Sequence, residues 1–305
     1  YSFLAIFSKP RRINIPSRIV YKMLIAAEIF ILIGIFIFVS MIIRITWRSS
    51  LFHPNLRRMV TFLLAHSYLY IPCRIPLILY QERVFRLDLR DGAGPIEIIL
   101  ITSSVLRLYH GLNVVFLYCA TVIERVLATL YIHDYESRRR LHISIILRLS
   151  VVGISLFLAL ELTYDLLKLT YIVYLALIVC SASVSAVISF YLYFYNRYRL
   201  KHVLKQADSY SLSLRYQLIE NMRAFRFLQT ITACGVVGIL INCLLLAVPH
   251  VFLTGSSSVL ALCGAAFDTV YAFTFLSGIL LCFLSQPVWK HQLAMQMRHF
   301  AFWKR

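Results

Sequence analysis

Seven long apolar stretches, separated by loops, constrain the fold of this 305-residue chain more than any other feature. A run of about 20 apolar residues is long enough to cross the hydrocarbon core of a bilayer as a helix. We predict membrane-spanning helices at residues 21–43, 59–80, 95–123, 143–159, 169–195, 227–248 and 259–284. With 60% hydrophobic and 14% charged residues, the chain resembles neither a soluble globular domain nor a disordered one. The predicted fold class is an all-α membrane protein, a bundle of seven transmembrane helices.

The distribution of Lys and Arg between the loops predicts the orientation. The loops after spans one, three and five and the segment after span seven hold 19 basic residues, whereas the opposite side holds nine. Basic residues mark the cytoplasmic side, which predicts an external N-terminus and a cytoplasmic C-terminus. Against this stand five basic residues near the start, Lys9, Arg11, Arg12, Arg18 and Lys22.

This orientation predicts three parts: a short extracellular N-terminus at 1–20, a seven-helix membrane domain at 21–286 and a cytoplasmic tail at 287–305. Because residue 1 is Tyr instead of Met, the natural start could lie upstream. The net charge of +18 is concentrated beside membrane helices, with seven basic residues in 196–226. It therefore indicates contact with anionic lipid, and no nucleic-acid binding is predicted.

Seven cysteines fall within apolar spans and none in a predicted outer loop, so we interpret them as small packing residues. They are Cys73, Cys119, Cys180, Cys234, Cys243, Cys263 and Cys282. Small residues also predict close helix packing at Gly235 and Gly238 in span six, and at Ser181, Ser183 and Ser185 in span five.

Ionisable side chains inside a bilayer are costly and usually face the interior of the bundle. The spans contain Glu28, Arg74, Glu97, Arg107 and Asp268. Arg107 and Asp268 lie at similar depths, roughly 18 and 14 Å from the outer ends of their helices. We expect these two to pair across spans three and seven, so that removing one partner costs more than removing both. The alternatives are Arg107 with Glu97 or a backbone carbonyl, and Asp268 with a hydroxyl.

A partly paired charge cluster would form the polar floor of an outward-facing cavity. The predicted ligand-pocket candidates are Glu28, Arg74, Glu97, Arg107, Asn242, Asp268 and Tyr271, with Tyr109, Tyr171 and Tyr174 as further wall residues. For the tyrosines and Asn242, a packing role is the competing interpretation.

Four connecting segments carry specific motifs. They read F-H-P-N-L from Phe52, E-R-V-L-A-T from Glu124 with D-Y-E from Asp134, Y-S-L-S-L-R-Y-Q-L-I-E-N from Tyr210, and P-V-W from Pro287. In all four places the chain resembles the nematode serpentine chemoreceptors of class e, the Sre family. The resemblance extends from about residue 51 to residue 289 and includes a twelve-residue motif that is unlikely to arise by chance.

The resemblance implies a plasma-membrane receptor of ciliated chemosensory neurons that binds a small-molecule cue and couples to a heterotrimeric G protein. The G-protein-facing candidates are Glu124, Arg125, Asp134, Tyr135, Glu136, Arg215, Glu220 and Asn221. The pair Glu124-Arg125 is similar to the adjacent acid and Arg at the inner end of span three in rhodopsin-like receptors. We therefore expect that loss of Arg125 reduces signalling and leaves folding intact. Alternatively, Arg125 only reaches lipid headgroups. Residues 212–227 are predicted to form a helix that continues into span six.

Other classes of function fit the sequence less well than a receptor does. A membrane transporter or channel subunit is the alternative, although Pro72 and Pro76 in span two have no matching pair in another span. No enzyme is predicted, because no His-rich or Ser/His/Asp set lies at the membrane face. No cofactor is predicted either, and a retinal Schiff base is excluded in span seven because it has no Lys.

Overall fold

The computed structural model describes residues 15–48, 52–82, 84, 94–132, 141–164, 171–205, 212–252 and 257–302. These residues form eight helices: α1 Ile15–Arg48, α2 Pro54–Gln81, α3 Pro95–Leu130, α4 Leu141–Tyr164, α5 Tyr171–Lys205, α6 Leu212–Phe252, α7 Ser257–Leu284 and α8 Pro287–Phe302.

Helices α1 to α7 are each long and apolar enough to cross a membrane, which confirms the seven predicted spans. Most of the helices are longer than the predicted spans, because polar flanking residues continue them beyond the apolar core. Helix α6 begins at Leu212, as the predicted continuation into span six requires. Helix α4 continues to Tyr164, so residues 160–164, predicted as loop, are helical and include the buried Glu161.

The helices alternate in direction along the chain, and α3 occupies the centre of the bundle. It packs against α2, α4, α5 and α6, whereas α1 packs against α2, α7 and α8. We call the end of the bundle where α1 begins the amino end and the opposite end the α8 end. Many large apolar side chains point outward, as a lipid-facing surface requires; Phe30, for example, is 76% exposed.

Close helix packing, predicted at small residues of α5 and α6, is present at some of these positions and absent at others. A Cβ added to Gly238 would lie 2.1 Å from Thr274 Cγ2, so α6 and α7 do approach closely there. At Gly235 an added Cβ meets nothing within 4 Å, so the prediction of close packing is wrong at that position. Ser185 is buried, but Ser183 is exposed because it lies on the outward face of α5.

All seven cysteines are free, and the packing interpretation fails for one of them. Cys73 and Cys282 are buried, whereas Cys180 is exposed on α5. The segment predicted as a cytoplasmic tail begins with a helix, α8, which follows a short turn at Ser285 and Gln286.

Candidate functional site

Four charged side chains from four helices form a buried ionic network toward the amino end. Arg74 on α2 donates through Nε to Glu28 Oε1 on α1 at 2.6 Å and through Nη2 to Glu28 Oε2 at 2.9 Å. The same Nη2 lies 3.0 Å from Asp268 Oδ2 on α7. Arg107 on α3 donates through Nη1 to both oxygens of Asp268, at 2.9 and 3.1 Å. The contacts therefore form a chain in the order Glu28, Arg74, Asp268, Arg107.

The ionic network is almost completely excluded from solvent, since its four residues are between 0% and 4% exposed. Two carboxylates balance two guanidinium groups, so the cluster carries no net charge. The predicted contact between Arg107 and Asp268 is present. The sequence did not reveal that Arg74 contacts both acids, which makes Arg74 and Asp268 the bridging members of the network.

Glu97, the fifth predicted charge, does not join the network. It lies in the first turn of α3, where its Oε2 accepts a hydrogen bond from the backbone N–H of Gly94 at 3.2 Å. The alternative pairing of Arg107 with Glu97 is therefore wrong, because the acid caps its own helix.

Three aromatic side chains form a polar-aromatic layer directly beside the ionic network. Tyr70 stacks on His110 with ring centroids 4.8 Å apart, and His110 Nδ1 shares a 2.7 Å hydrogen bond with the hydroxyl of Tyr271. Each lies one helical turn from a charged member, because Tyr70 precedes Arg74 by four residues, and His110 and Tyr271 follow Arg107 and Asp268 by three. Sequence reasoning missed Tyr70 and His110, although this repeated spacing on three helices is a signal that could have identified them.

A central cavity of about 170 Å³ begins at the polar-aromatic layer and extends toward the α8 end. It lies between α2, α3, α6 and α7, with one contribution from α5. On α3 the lining runs from Gly111 to Thr121, and on α7 from Tyr271 to Phe283. The ionic network thus lies on the amino side of the cavity, because Arg107 and Asp268 lie one turn beyond Gly111 and Tyr271.

Two of the predicted ligand-pocket candidates, Asn242 and Tyr271, line this cavity. Tyr109 and Tyr174 are buried elsewhere in the helix packing, and the side chain of Tyr171 lies outside the described residues. This cavity lies on the α8 side of the charges, and the outward-facing pocket on their amino side stays a prediction.

At the α8 end, Arg125 joins α3 to α6. Its Nη2 donates to Glu124 Oε1 at 2.6 Å, its Nε donates to the second oxygen at 2.5 Å, and its Nη1 donates to Asn221 Oδ1 on α6 at 3.3 Å. Asn221 is only 5% exposed. We call these three residues the α3–α6 junction.

The burial of the α3–α6 junction corrects the expectations for Arg125. The side chain is 1% exposed and does not reach a headgroup layer, so the lipid-contact alternative is wrong. The burial also removes the reason for expecting that loss of Arg125 leaves folding intact. Without the Arg125 guanidinium, the buried Glu124 carboxylate would lose the cation that contacts both of its oxygens.

The other residues predicted to face a G protein are only partly described. Arg215 and Glu220 lie on the first turns of α6 and are half-buried. Asp134, Tyr135 and Glu136 lie outside the described residues. Among the described residues, no group of three or more His, Cys, Asp or Glu side chains is arranged to hold a metal ion.

An aromatic cluster beside the α3–α6 junction brings two of the sequence motifs together. Trp289 on α8 stacks on Phe283 of α7 with centroids 4.3 Å apart and meets Phe52 edge-on at 5.1 Å. Phe227 of α6 contacts both Trp289 and Phe52. The motifs F-H-P-N-L and P-V-W therefore meet in one core that holds α8 against the bundle.

Comparison with known proteins gives results that agree with each other. A family profile described as "Sre G protein-coupled chemoreceptor" matches residues 5–305. Among curated proteins of Caenorhabditis elegans, serpentine receptor class epsilon-1 is 31% identical over 193 residues, covering 60% of this chain and 52% of that protein. Class epsilon-21 is 36% identical over 188 residues, covering 59% and 49%. Class epsilon-2 is 30% identical over 240 residues, covering 71% and 62%. The chain thus aligns with about half of the length of the first two.

Proposed function

We propose, because this chain belongs to the Sre family of G protein-coupled chemoreceptors, that it binds a small-molecule cue and signals through a heterotrimeric G protein at the α8 end of its bundle. Its seven membrane-capable helices fit a membrane protein, and the family match supports the G-protein-coupled-receptor type. Plasma-membrane insertion, and location in the cilia of sensory neurons, are further parts of the proposal.

The observation that carries this proposal is the α3–α6 junction. The guanidinium of Arg125 is bound to its neighbour Glu124 and reaches Asn221 across the gap between the two helices. Separation of α6 from α3 would break the 3.3 Å contact and open a cleft between the two helices at the α8 end. A helix displacement of this kind is a recognised way for a membrane bundle to switch between two states.

The proposed orientation places the α8 end in the cytoplasm. The segments at this end hold 19 Lys and Arg residues, compared with nine at the amino end. Anionic lipid and an acidic partner surface would both favour the basic side. Arg215 and Glu220 would then lie beside the cleft, and we propose that they contact the G protein together with residues 134–136.

Replacing Asn221 tests whether the α3–α6 junction controls signalling. Asn221→Leu removes the acceptor for Arg125 while leaving the pair with Glu124 in place. Purified receptor in lipid nanodiscs should therefore stimulate exchange of a labelled GTP analogue on a heterotrimeric G protein more strongly without any cue. A contact of this kind is worth about 1.5–3 kcal/mol, so its loss should shift the equilibrium toward the separated state by about 10- to 150-fold, and basal exchange should rise at least several-fold.

Thr230→Val is the matched control, because Thr230 is half-buried on the same helix and, among the described residues, donates only to the backbone of its own helix at Arg226. This variant should behave as the unmodified receptor. If Asn221→Leu leaves exchange at the control level with G proteins of every Gα class, signalling through this junction is contradicted.

A further inference from the structure

The central cavity has the size of a binding site for a molecule of few atoms. Its volume of about 170 Å³ compares with the engineered cavity of about 150 Å³ that stays dry and binds benzene. The described residues that line it include no charged side chain, and most are aliphatic or aromatic. A charged ligand would lose its hydration there without compensation, so the cavity selects neutral and mainly apolar molecules.

One side chain in this lining has an unused hydrogen-bond acceptor. Asn242 on α6 is 8% exposed, and its Nδ2 donates to the backbone oxygen of Gly238 at 2.8 Å. Because a carbonyl oxygen can only accept, this bond fixes which end of the amide carries the nitrogen. Asn242 Oδ1 is buried and has no hydrogen-bond partner among the described residues.

Most of the other polar side chains that line the cavity, Thr274 excepted, are hydrogen-bonded within the protein. The hydroxyls of Tyr118 and Thr232 are hydrogen-bonded to each other, and that of Tyr271 is bonded to His110. Thr121 donates to the backbone oxygen of Leu117 within α3. Among the described lining residues, Asn242 carries the buried acceptor that lacks a hydrogen-bond partner, and a buried acceptor gains most when it finds a donor.

We propose that the central cavity binds a small, neutral, mainly apolar molecule with one hydrogen-bond donor, such as an alcohol or a phenol, and that Asn242 Oδ1 accepts this donor. This inference rests on the proposed function in one respect: it assigns the class of molecule to which the chemosensory cue belongs.

The location also gives the ligand a way to influence signalling. Helix α6 contributes Asn242 and Gly235 to the part of the cavity nearer the amino end, and Phe227 to the part nearer the α8 end. Phe227 belongs to the aromatic cluster and lies less than two turns from Asn221 of the α3–α6 junction. A ligand that fills the cavity and bonds to Asn242 therefore acts on the helix whose displacement is proposed to open the cleft.

The binding test uses two probes of equal size and different polarity. Benzyl alcohol and ethylbenzene each have eight non-hydrogen atoms, but only the alcohol has a donor. Saturable binding of each labelled probe is measured on purified receptor in nanodiscs, without a G protein. We expect micromolar to millimolar affinity, as is usual for so few atoms, and a preference of about 3- to 10-fold for the alcohol.

Two glycine variants test whether the probe occupies this cavity. Gly235 lines it and has open space at its Cβ, so Gly235→Leu should fill the cavity and abolish saturable binding. Gly153 on α4 is exposed and also has open space, so Gly153→Leu makes the same change on the outer surface and should leave binding intact. Equal binding by both variants, or no saturable binding by the unmodified receptor, would overturn the proposal.

Asn242→Leu tests the proposed hydrogen bond. This variant should lose the preference for the alcohol and favour ethylbenzene, because the alcohol's hydroxyl would then be buried without its acceptor, whereas the unmodified receptor prefers the alcohol. If the variant keeps the full preference, Asn242 is not the acceptor and the inference fails. Because no signalling is measured, a negative result here leaves G-protein coupling standing, and a negative exchange assay leaves the binding site standing.

Discussion

At the scale of single residues, position within the ionic network determines how much each charge contributes. Asp268 and Arg74 each contact two partners of opposite charge, whereas Glu28 and Arg107 each contact one within the network. An isolated charge in an apolar interior is far more costly than a paired one. The bridging residues should therefore be more sensitive to substitution than the residues at the ends of the chain of contacts.

We predict that Asp268→Asn lowers the free energy of unfolding by about 3–5 kcal/mol, because it removes the carboxylate shared by two buried arginines. Arg107→Met should cost about 1.5–3 kcal/mol, since Asp268 keeps its contact with Arg74. The measurement is thermal unfolding of the purified receptor in detergent. Glu97→Gln is the control and should change stability by less than about 0.5 kcal/mol, because Gln can also cap the start of α3.

The double variant Arg107→Met, Asp268→Asn should be more stable than Asp268→Asn alone. In Asp268→Asn, Arg107 is a buried cation that has lost its carboxylate partner, and the double variant removes this cation as well. Equal losses for Asp268→Asn and Arg107→Met would show that the two acids and two arginines do not act as a connected network. A charge exchange between the two positions is a poorer test, since an arginine at position 268 would face Arg74.

At the scale of helices, the two glycines of α6 have different roles although they lie one turn apart. Gly238 allows α6 to approach α7, where Thr274 Cγ2 occupies the space that a Cβ needs. Gly235 faces open space and lines the central cavity. Spacing alone could not separate these two roles, because both glycines suit a small-residue packing motif.

We predict that Gly238→Ala lowers the free energy of unfolding by about 1–3 kcal/mol, because the added methyl group forces α6 and α7 apart. Gly235→Ala should leave stability unchanged or raise it by up to about 1 kcal/mol, since alanine favours the helix and meets no clash. Both variants are compared by thermal unfolding in detergent. Adding Thr274→Ala to Gly238→Ala should restore part of the loss, and a Gly238→Ala protein as stable as Gly235→Ala would contradict the close approach.

At the scale of the whole molecule, the sequence predicted the helices better than the space between them. Hydropathy and length located all seven spans, because a bilayer imposes both on any helix that crosses it. The approximate depth of Arg107 and Asp268 was enough to predict their contact. Depth does not give rotation about the helix axis, so the bridging role of Arg74 could not be inferred.

The burial of side chains at the helix ends also could not be predicted from the sequence. Arg125 lies some 30 residues into α3, which suggested a headgroup environment, but neighbouring helices extend equally far and enclose it. The location of the cavity depends on which side chains leave space between four helices. Residues such as Asn242 could be nominated for their polarity, yet only the packing shows that Asn242 lines a cavity and keeps an unused acceptor.

The central claim is that the α8 end, with the α3–α6 junction, faces the cytoplasm and the amino end faces the outside. The direct measurement is antibody labelling of cells that express the chain with an epitope tag after Arg305 or before Tyr1. We predict that the tag after Arg305 is labelled only in permeabilised cells and the tag before Tyr1 is labelled in intact cells. Labelling of the tag after Arg305 on intact cells would place the junction outside the cell and contradict the proposed route of signalling.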